Sequence, residues 1–274
     1  MSMDLNAIKN RLQSLQNKKS GGNKEDRSKY FWKPSVGKQV VRIVPSKFDK
    51  SNPFKEVLFH YGVGNRSMVA LSNWGEKDPI IEFVSQLRKT SDKENWKLAK
   101  KIEPKMRVFV PVVVRGEEEK GVRLWEFGEE MYLELLSMAE DEDIGDYTAI
   151  VDGRDLTVDT VGPEVTGTKY NKSTVRVRTK QTPLSENNSQ VKEWLSEQPD
   201  VLGLYKKYNF EEMKNILMAW LNPEDEVEST TETETSDDDD SPFVQDTPKP
   251  SYKEPVPKKK NNFDEDEFDS LFND

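Results

Sequence analysis

Short apolar runs separated by polar turns fill much of residues 30–180, and this pattern predicts β-strands. Residues 40–44 and 56–62 have the length and the branched or aromatic content that strands favour. The apolar run 106–114 predicts a buried strand, in which Pro111 indicates a bulge or an edge position. Further strands are expected at residues 68–71, 122–127 and 174–179, and two more within 148–161 on either side of an Asp152-Gly153 hairpin turn.

Apolar residues at helical spacing predict helices between and beyond these strands. Asp78 followed by Pro79 is an N-cap and first-turn pair, so a helix should begin there. The segment 129–140 brings two methionines and Leu135 to one helical face. Further helices are expected at residues 4–17, 92–102 and 189–221.

Short strands with inserted helices predict a mainly β, α+β protein built on a small closed β-barrel. The compact body begins near Tyr30. Composition predicts four parts: an N-terminal helical arm at 1–22, a core at 23–221, a disordered acidic linker at 222–262, and an acidic-aromatic tip at 263–274. The tip contains Phe263, Phe268, Leu271 and Phe272. A tail that only improved solubility would not need these side chains, so we expect the tip to bind partner proteins.

The residue types exclude several kinds of chemistry. The 274 residues include no cysteine and one histidine, His60, which excludes disulfides, thiolate catalysis, cysteine-ligated zinc and paired-imidazole metal sites. No phosphate-binding loop, serine nucleophile elbow or His-Glu-x-x-His motif occurs, so we do not expect an enzyme. No apolar run approaches a membrane span and no signal-peptide pattern is present, so a soluble, cytoplasmic protein is expected.

Charge is distributed unevenly along the chain, whose net charge is −10. Residues 1–110 contain 23 lysines and arginines against 11 aspartates and glutamates, whereas residues 222–274 contain 5 against 18. A basic front half and an acidic tail indicate a polyanionic partner and a segment that could imitate it. The alternative is a solvated surface with a solubilising tail.

Basic side chains alternate with aromatic ones in several segments, as is typical of single-stranded nucleic-acid binding. Residues 88–107 carry eight lysines and arginines around Trp96. Cations attract phosphates, and an aromatic face stacks on any base for about 1–3 kcal/mol. The strand at 174–179 should place Arg176 and Arg178 on one face. The candidate stacking residues are Trp96, Trp125 and Tyr170, and the candidate phosphate ligands are Lys100, Lys101, Arg107, Arg176, Arg178, Lys47 and Arg66.

Ordinary structural explanations compete with these assignments. Trp96 could pack into the core below a solvated helix, and Trp125 faces outward only if Leu124 faces inward. The lysines of the loop 45–54 could equally belong to a turn that its prolines shape. The acidic run 140–143 is typical of a solvated helix end rather than of a magnesium site.

The order of these segments resembles the single-stranded DNA-binding, helix-destabilising proteins of T-even-type bacteriophages. The resemblance begins at Val-Arg-Ile-Val-Pro-Ser-Lys, residues 41–47, and runs through Pro53-Phe54 to His60-x-Gly62. It continues through the segments 94–101, 106–114 and 124–128, and the acidic terminus matches in style and position.

This resemblance implies an OB-fold core whose cleft holds single-stranded DNA, an N-terminal arm for head-to-tail cooperativity, and a tail that binds replication, recombination and repair proteins. The arm of that family carries three basic and two hydroxyl residues, which Lys18-Lys19-Ser20 matches in part. Its best-known members also hold a structural zinc with one histidine and three cysteines. His60 matches that histidine, but the corresponding segment 70–83 contains no cysteine, so we predict no zinc. Ile80, Ile81 and Phe83 could fill the space with apolar packing.

The sequence therefore predicts a non-enzymatic protein that binds single-stranded DNA regardless of sequence and associates with copies of itself. Two alternatives stay open: a module for single-stranded RNA, which contacts to the 2′-OH would distinguish, and a protein-interaction adaptor that works through its acidic tail.

Overall fold

A computed structural model describes residues 29–64 and 66–222. The predictions for the arm at 1–22, for the linker beyond residue 222 and for the tip at 263–274 lie outside these residues. The predicted core accounts for nearly all of the described chain.

Eight strands form one mixed sheet with β5 at its centre. The first half of β5 pairs antiparallel with β3, its second half pairs with β2, and β6 lies along its other side. The path through the sheet runs β1-β6-β5-β2-β7-β8, with β4 attached to β3. The strands are β1 Phe31–Trp32, β2 Gly37–Ile43, β3 Lys55–Val63, β4 Arg66–Val69, β5 Lys105–Val114, β6 Arg123–Phe127, β7 Arg154–Val161 and β8 Lys172–Gln181.

The mixture of sheet and helices confirms the α+β prediction, but the prediction of a closed barrel is not confirmed. In the described part of the chain, β1 and β8 are the two ends of the strand path and do not pair with each other. Among the strands that the structure describes, β1 pairs only with β6, in parallel, and β8 pairs only with β7. The sheet is therefore open, and one side of β8 is an edge.

In the described residues, six α-helices join or cover the strands: α1 Pro79–Lys89, α2 Lys93–Ile102, α3 Glu129–Glu140, α4 Pro163–Thr166, α5 Asn188–Ser196 and α6 Phe210–Leu221. The predicted start of α1 is confirmed, because the Asp78 carboxylate accepts hydrogen bonds from the amides of Ile80 and Ile81 with Pro79 in the first turn. The predicted span of α3 is also confirmed. The helical region expected at 189–221 is divided into α5 and α6.

Pro111 lies in the central strand rather than at an edge or a bulge. Its carbonyl accepts a hydrogen bond from the amide of Val44, just beyond the last β2–β5 register pair, Ile43 with Val112. Proline has no amide hydrogen and cannot donate a hydrogen bond to Val44 in turn. The β2–β5 hydrogen-bond ladder therefore ends here, where β5 changes partner from β2 to β3. The missing donor therefore breaks no continuous ladder.

The expected hairpin at 148–161 is wrong, because only its second half is a strand. Residues 147–153 form turns around the buried guanidinium of Arg42, whose Nη2 donates to the carbonyl of Ala149 at 2.7 Å. A Cβ on Gly153 would lie 2.2 Å from that same carbonyl oxygen. Gly153 therefore permits a close approach to Arg42 instead of a hairpin turn.

Apolar clusters cover both faces of the sheet. On one face, Val110, Trp125 and Leu156 belong to the main core. On the other face, Phe109 and Leu124 pack beneath residues 201–205, and Val113 packs beneath α5. A fourth cluster joins α1, α2 and α6. None of the helices in the described ranges combines the length and apolar character needed to cross a membrane.

Candidate nucleic-acid interface

Strand β8 carries a row of cations on its solvent face. Val175 is buried, whereas the side chains at the alternating positions point to water. Successive residues of a regular strand point to opposite faces, so Lys172, Arg176 and Arg178 share one side. Lys180 is exposed beyond them, where the β7–β8 register shifts between Val177 and Gln181. We call Lys172, Arg176, Arg178 and Lys180 the β8 basic row. The predicted placement of Arg176 and Arg178 on one face is confirmed.

Two aspartates of the neighbouring strand β7 form ion pairs with other cations and not with this row. Asp159, opposite Thr174 on β7, lies 3.8 Å from Lys38 of β2. Asp155 instead pairs with Arg42 and Arg115. Within residues 29–64 and 66–222, no carboxylate forms an ion pair with the β8 basic row. Four exposed like charges along one strand create a local positive potential that attracts a polyanion.

Helix α2 forms a second basic surface around Trp96. Half of the Trp96 side chain, 50%, is exposed, so the competing explanation that it packs into the core is wrong. Its indole Nε1 donates to the carbonyl of Thr90, and the Arg88 guanidinium carbon lies 5.4 Å from the ring centroid. An indole fixed by a hydrogen bond and a cation is well suited to stacking on a base.

The last turn of α2 brings two further candidate residues to the surface. Lys100 and Lys101 are both exposed. The ammonium of Lys101 lies 5.1 Å from the ring of Trp220 on α6. Lys101 therefore lies over an aromatic ring of the cluster that joins α1, α2 and α6, and Lys100 is exposed to solvent.

The three remaining exposed candidates lie in loops or at the start of a strand. Lys47 is exposed in the loop after β2, and Arg66 is exposed at the start of β4, where its Nε donates to the carbonyl of Gly64. Tyr170 is 37% exposed in the turn that leads into β8. Tyr170 thus precedes the β8 basic row directly in the chain.

Trp125 is not available to a ligand, and the expectation that it faces outward is wrong. It is 2% exposed and makes edge contacts with the rings of Trp32 and Phe127. Leu124, its neighbour on the opposite face, is equally buried because Phe109 and Val201 cover that side. Both faces of β6 are therefore buried at this point, and neither Leu124 nor Trp125 points to solvent.

Arg107 is also inside the fold, which corrects its assignment as a phosphate ligand. The residue is 4% exposed, and its Nε donates to Glu126 of the neighbouring strand at 2.8 Å. A charge paired in this way would have to give up its partner to contact DNA. Its role is to join β5 and β6.

The residues around His60 do not fit the zinc site that the resemblance implies. His60 Nε2 lies 3.0 Å from Oδ2 of Asp78, and both side chains are buried. In the segment 70–83, Ile80 and Phe83 are buried in apolar packing, as expected, while Ile81 is partly exposed. Within the described ranges, no three histidine, cysteine, aspartate or glutamate side chains are grouped as a metal would require. The absence of zinc stays a prediction.

Two surface residues were missed by the sequence reasoning. Lys180 extends the β8 basic row beyond Arg178, and Lys172, which the sequence already places beside the strand 174–179, extends it at the other end. Phe48 is 59% exposed in the loop after β2, although its sequence context does not distinguish it from a core phenylalanine.

An open α+β sheet with exposed cations on β8, together with a basic helix α2 that carries an exposed indole, defines a protein suited to binding a polyanion with unpaired bases. Residues 35–220 match the family model described as gp32 DNA binding protein like, and the chain belongs to this family. The match confirms the resemblance found in the order of the sequence segments. A search of the curated proteins found no match.

Proposed function

We propose that this protein binds single-stranded DNA without regard to base sequence, with the β8 basic row as the main phosphate-binding surface. The observation that carries the proposal is the exposure of Lys172, Arg176, Arg178 and Lys180 along one edge strand with no carboxylate partner in the described chain. Membership of a DNA-binding family supports the choice of polymer.

The mechanism follows from the chemistry of the exposed groups. Lysines and arginines that neutralise phosphates release condensed counterions, which favours binding of any sequence. Trp96 and Tyr170 offer rings to unpaired bases, and every base has a π-face. A base inside a duplex cannot use such a ring, so stacking gives preference for a single strand.

The direct test is the binding of a fluorescent oligo-dT of about 20 nucleotides, longer than one typical site, titrated across salt against duplex DNA and RNA of equal length. We expect tight binding to the single DNA strand, with a log–log salt slope near −0.7 per phosphate contacted. Equal, weak binding to all three polymers would contradict the proposal and favour an adaptor that works through the tail. A preference for RNA would favour the RNA-binding alternative.

The predicted extensions define further parts of the proposal. Lys18, Lys19 and Ser20 of the arm would support association with neighbouring copies along the strand, and the tip with Phe263, Phe268, Leu271 and Phe272 would bind replication and recombination proteins. Deleting residues 1–22 should then lower cooperativity on long single strands without changing affinity for a short one. Deleting residues 224–274, which are strongly acidic, should tighten DNA binding at low salt by removing a competitor.

We also propose that the protein acts without zinc or another cofactor, without enzymatic activity, and in the cytoplasm of an infected bacterial host. The paired state of His60 and the lack of a grouped ligand set among the described residues support metal-free folding.

A further inference from the structure

Phe48 is an exposed aromatic ring on a loop that the structure braces from both sides. Ser46 Oγ accepts hydrogen bonds from the amides of Phe48 and Asp49 at 3.1 and 3.2 Å. Asp49 accepts from the amide and the hydroxyl of Ser51 at 2.9 and 2.6 Å. These hydroxyl and carboxylate bonds form consecutive turns that fix the backbone on each side of the ring.

The base of the loop is anchored to the body of the protein. The amide of Lys47 donates to Oε1 of Gln198 at 2.8 Å. Gln198 is itself buried, and its Nε2 donates to the carbonyls of Pro45 and Trp194, both at 2.9 Å. Because one buried amide side chain joins the loop to the end of α5, the position of Phe48 is set by the core.

This bracing holds an apolar ring in water next to cations. Phe48 keeps 59% of its surface exposed even though the ammonium of Lys47 lies 5.5 Å from the ring centroid. Lys50, on the far side of the turn, is also exposed. Solvating a phenyl ring is costly, and a ring with a cation nearby is equipped to take a base and its phosphate together.

The sheet register places this loop at one end of the β8 basic row. Val41 of β2 is level with Leu156 of β7, and Leu156 is level with Val177 of β8. Both neighbours of β7 run antiparallel to it, so β2 and β8 run in the same direction and finish at the same edge of the sheet. The loop leaves β2 at that edge, where β8 ends with Arg178 and Lys180.

We propose that Phe48 stacks on one unpaired base of the strand held by the β8 basic row, and so defines the end of the site beyond Lys180. The inference rests on the proposed function, because it needs a bound single strand. A phenyl ring has no hydrogen-bonding groups, so the contact selects for an unpaired base and not for its identity.

The test compares Phe48→Ala and Phe48→Trp with Leu133→Ala in the full-length protein. Leu133 on α3 is 58% exposed and serves as the matched control, because it removes an equally solvated apolar side chain from another element. Affinity is measured on oligo-dT and on an abasic oligomer of the same length, which keeps the phosphates and lacks the bases. Thermal unfolding of each variant shows that the fold is intact.

We expect Phe48→Ala to weaken binding by about 5-fold to about 150-fold, Phe48→Trp to bind at least as well as the parent, and Leu133→Ala to leave affinity unchanged. The loss caused by Phe48→Ala should disappear on the abasic oligomer, which offers no base to stack on residue 48. If the parent binds oligo-dT and Phe48→Ala binds as well as the parent on every oligomer, the inference is overturned while the proposed function stands. If the parent does not prefer a single strand, both are overturned.

Discussion

Nε2 of His60 lies 3.0 Å from Oδ2 of Asp78, and the two side chains are almost completely buried. The Asp78 carboxylate also accepts hydrogen bonds from three backbone amides, those of Leu71 at 2.7 Å, Ile80 at 3.0 Å and Ile81 at 3.1 Å. One carboxylate therefore joins β3, the turn after β4 and the start of α1. His60 Nδ1 has no partner among the described residues, so the hydrogen bond that the ring makes there is the one between Nε2 and Asp78.

The first prediction concerns acid stability. Burial acts to raise the pKa of Asp78, but the hydrogen bond and charge of His60 and the amides of Ile81 and Leu71 outweigh burial and lower the pKa below its ordinary value. A carboxyl whose folded-state pKa is depressed contributes stability that is complete above the unfolded pKa, about 3.9, and is lost as pH falls through the folded value.

The free energy of unfolding should therefore decrease as pH falls below about 4, and Asp78→Asn should flatten this dependence. Urea unfolding between pH 3 and pH 6 measures the effect. Asp152→Asn, at an exposed loop position, is the control. Equal pH slopes for the parent and Asp78→Asn would show that Asp78 does not carry the dependence.

The second prediction is that removing metal leaves the fold unchanged. Nε2 of His60 is already hydrogen-bonded to Asp78, and the described residues include no group of side chains that could hold a metal there. Dialysis against a chelator should therefore not shift the melting temperature. His60→Ala should lower stability by about 2–4 kcal/mol, since it opens a cavity and removes a donor from a buried carboxylate. Release of one equivalent of zinc with a fall in melting temperature would refute metal-free folding.

Local signals predicted some elements well because nothing distant competes with them. The start of α1 depends on Asp78 and Pro79, which act within their own turn. The face of α3 around Leu135 follows from helical spacing alone. The solvent side of β8 was predicted from alternation because this edge strand has one buried face and one exposed face.

Predictions failed where residues far apart in the chain meet. An outward Trp125 assumes that one face of β6 is wet, but Val201 arrives from a later segment to cover that face. The hairpin expected at Asp152-Gly153 is displaced by the buried guanidinium of Arg42, 107 residues from its acceptor Ala149. The position of the exposed Phe48 depends on Gln198, which lies 151 residues from Lys47, the residue that it anchors. A local sequence pattern does not show which distant segment will cover a strand or anchor a loop.

The third prediction tests the packing around Arg42. A Cβ on Gly153 would lie 2.2 Å from the carbonyl oxygen of Ala149 and 2.3 Å from Nη2 of Arg42, far inside contact distance. Gly153→Ala should therefore destabilise the protein by about 2–4 kcal/mol, because it displaces a buried charge from its acceptors. Gly203→Ala, whose Cβ would meet its nearest atom at 3.4 Å, should cost much less. Urea unfolding compares the two variants, and equal stabilities would contradict the role given to Gly153.

The fourth prediction concerns the β8 basic row. Arg176→Ala and Arg178→Ala should each weaken binding to oligo-dT and reduce the magnitude of the log–log salt slope by about 0.7, because each removes one phosphate contact. Their exposed side chains make no ion pair within the described residues, so stability should change by less than about 0.5 kcal/mol.

Lys192→Ala provides the matched control, since it removes an exposed cation from α5 and leaves the row complete. Titrations at four or more salt concentrations separate the outcomes. If all three variants lower affinity equally, the protein attracts DNA through its overall charge and the row has no special part. If only the two β8 variants lower the slope, the strand of DNA lies along β8, and the double variant should lose about 1.4 of slope because the two contacts are separate phosphates.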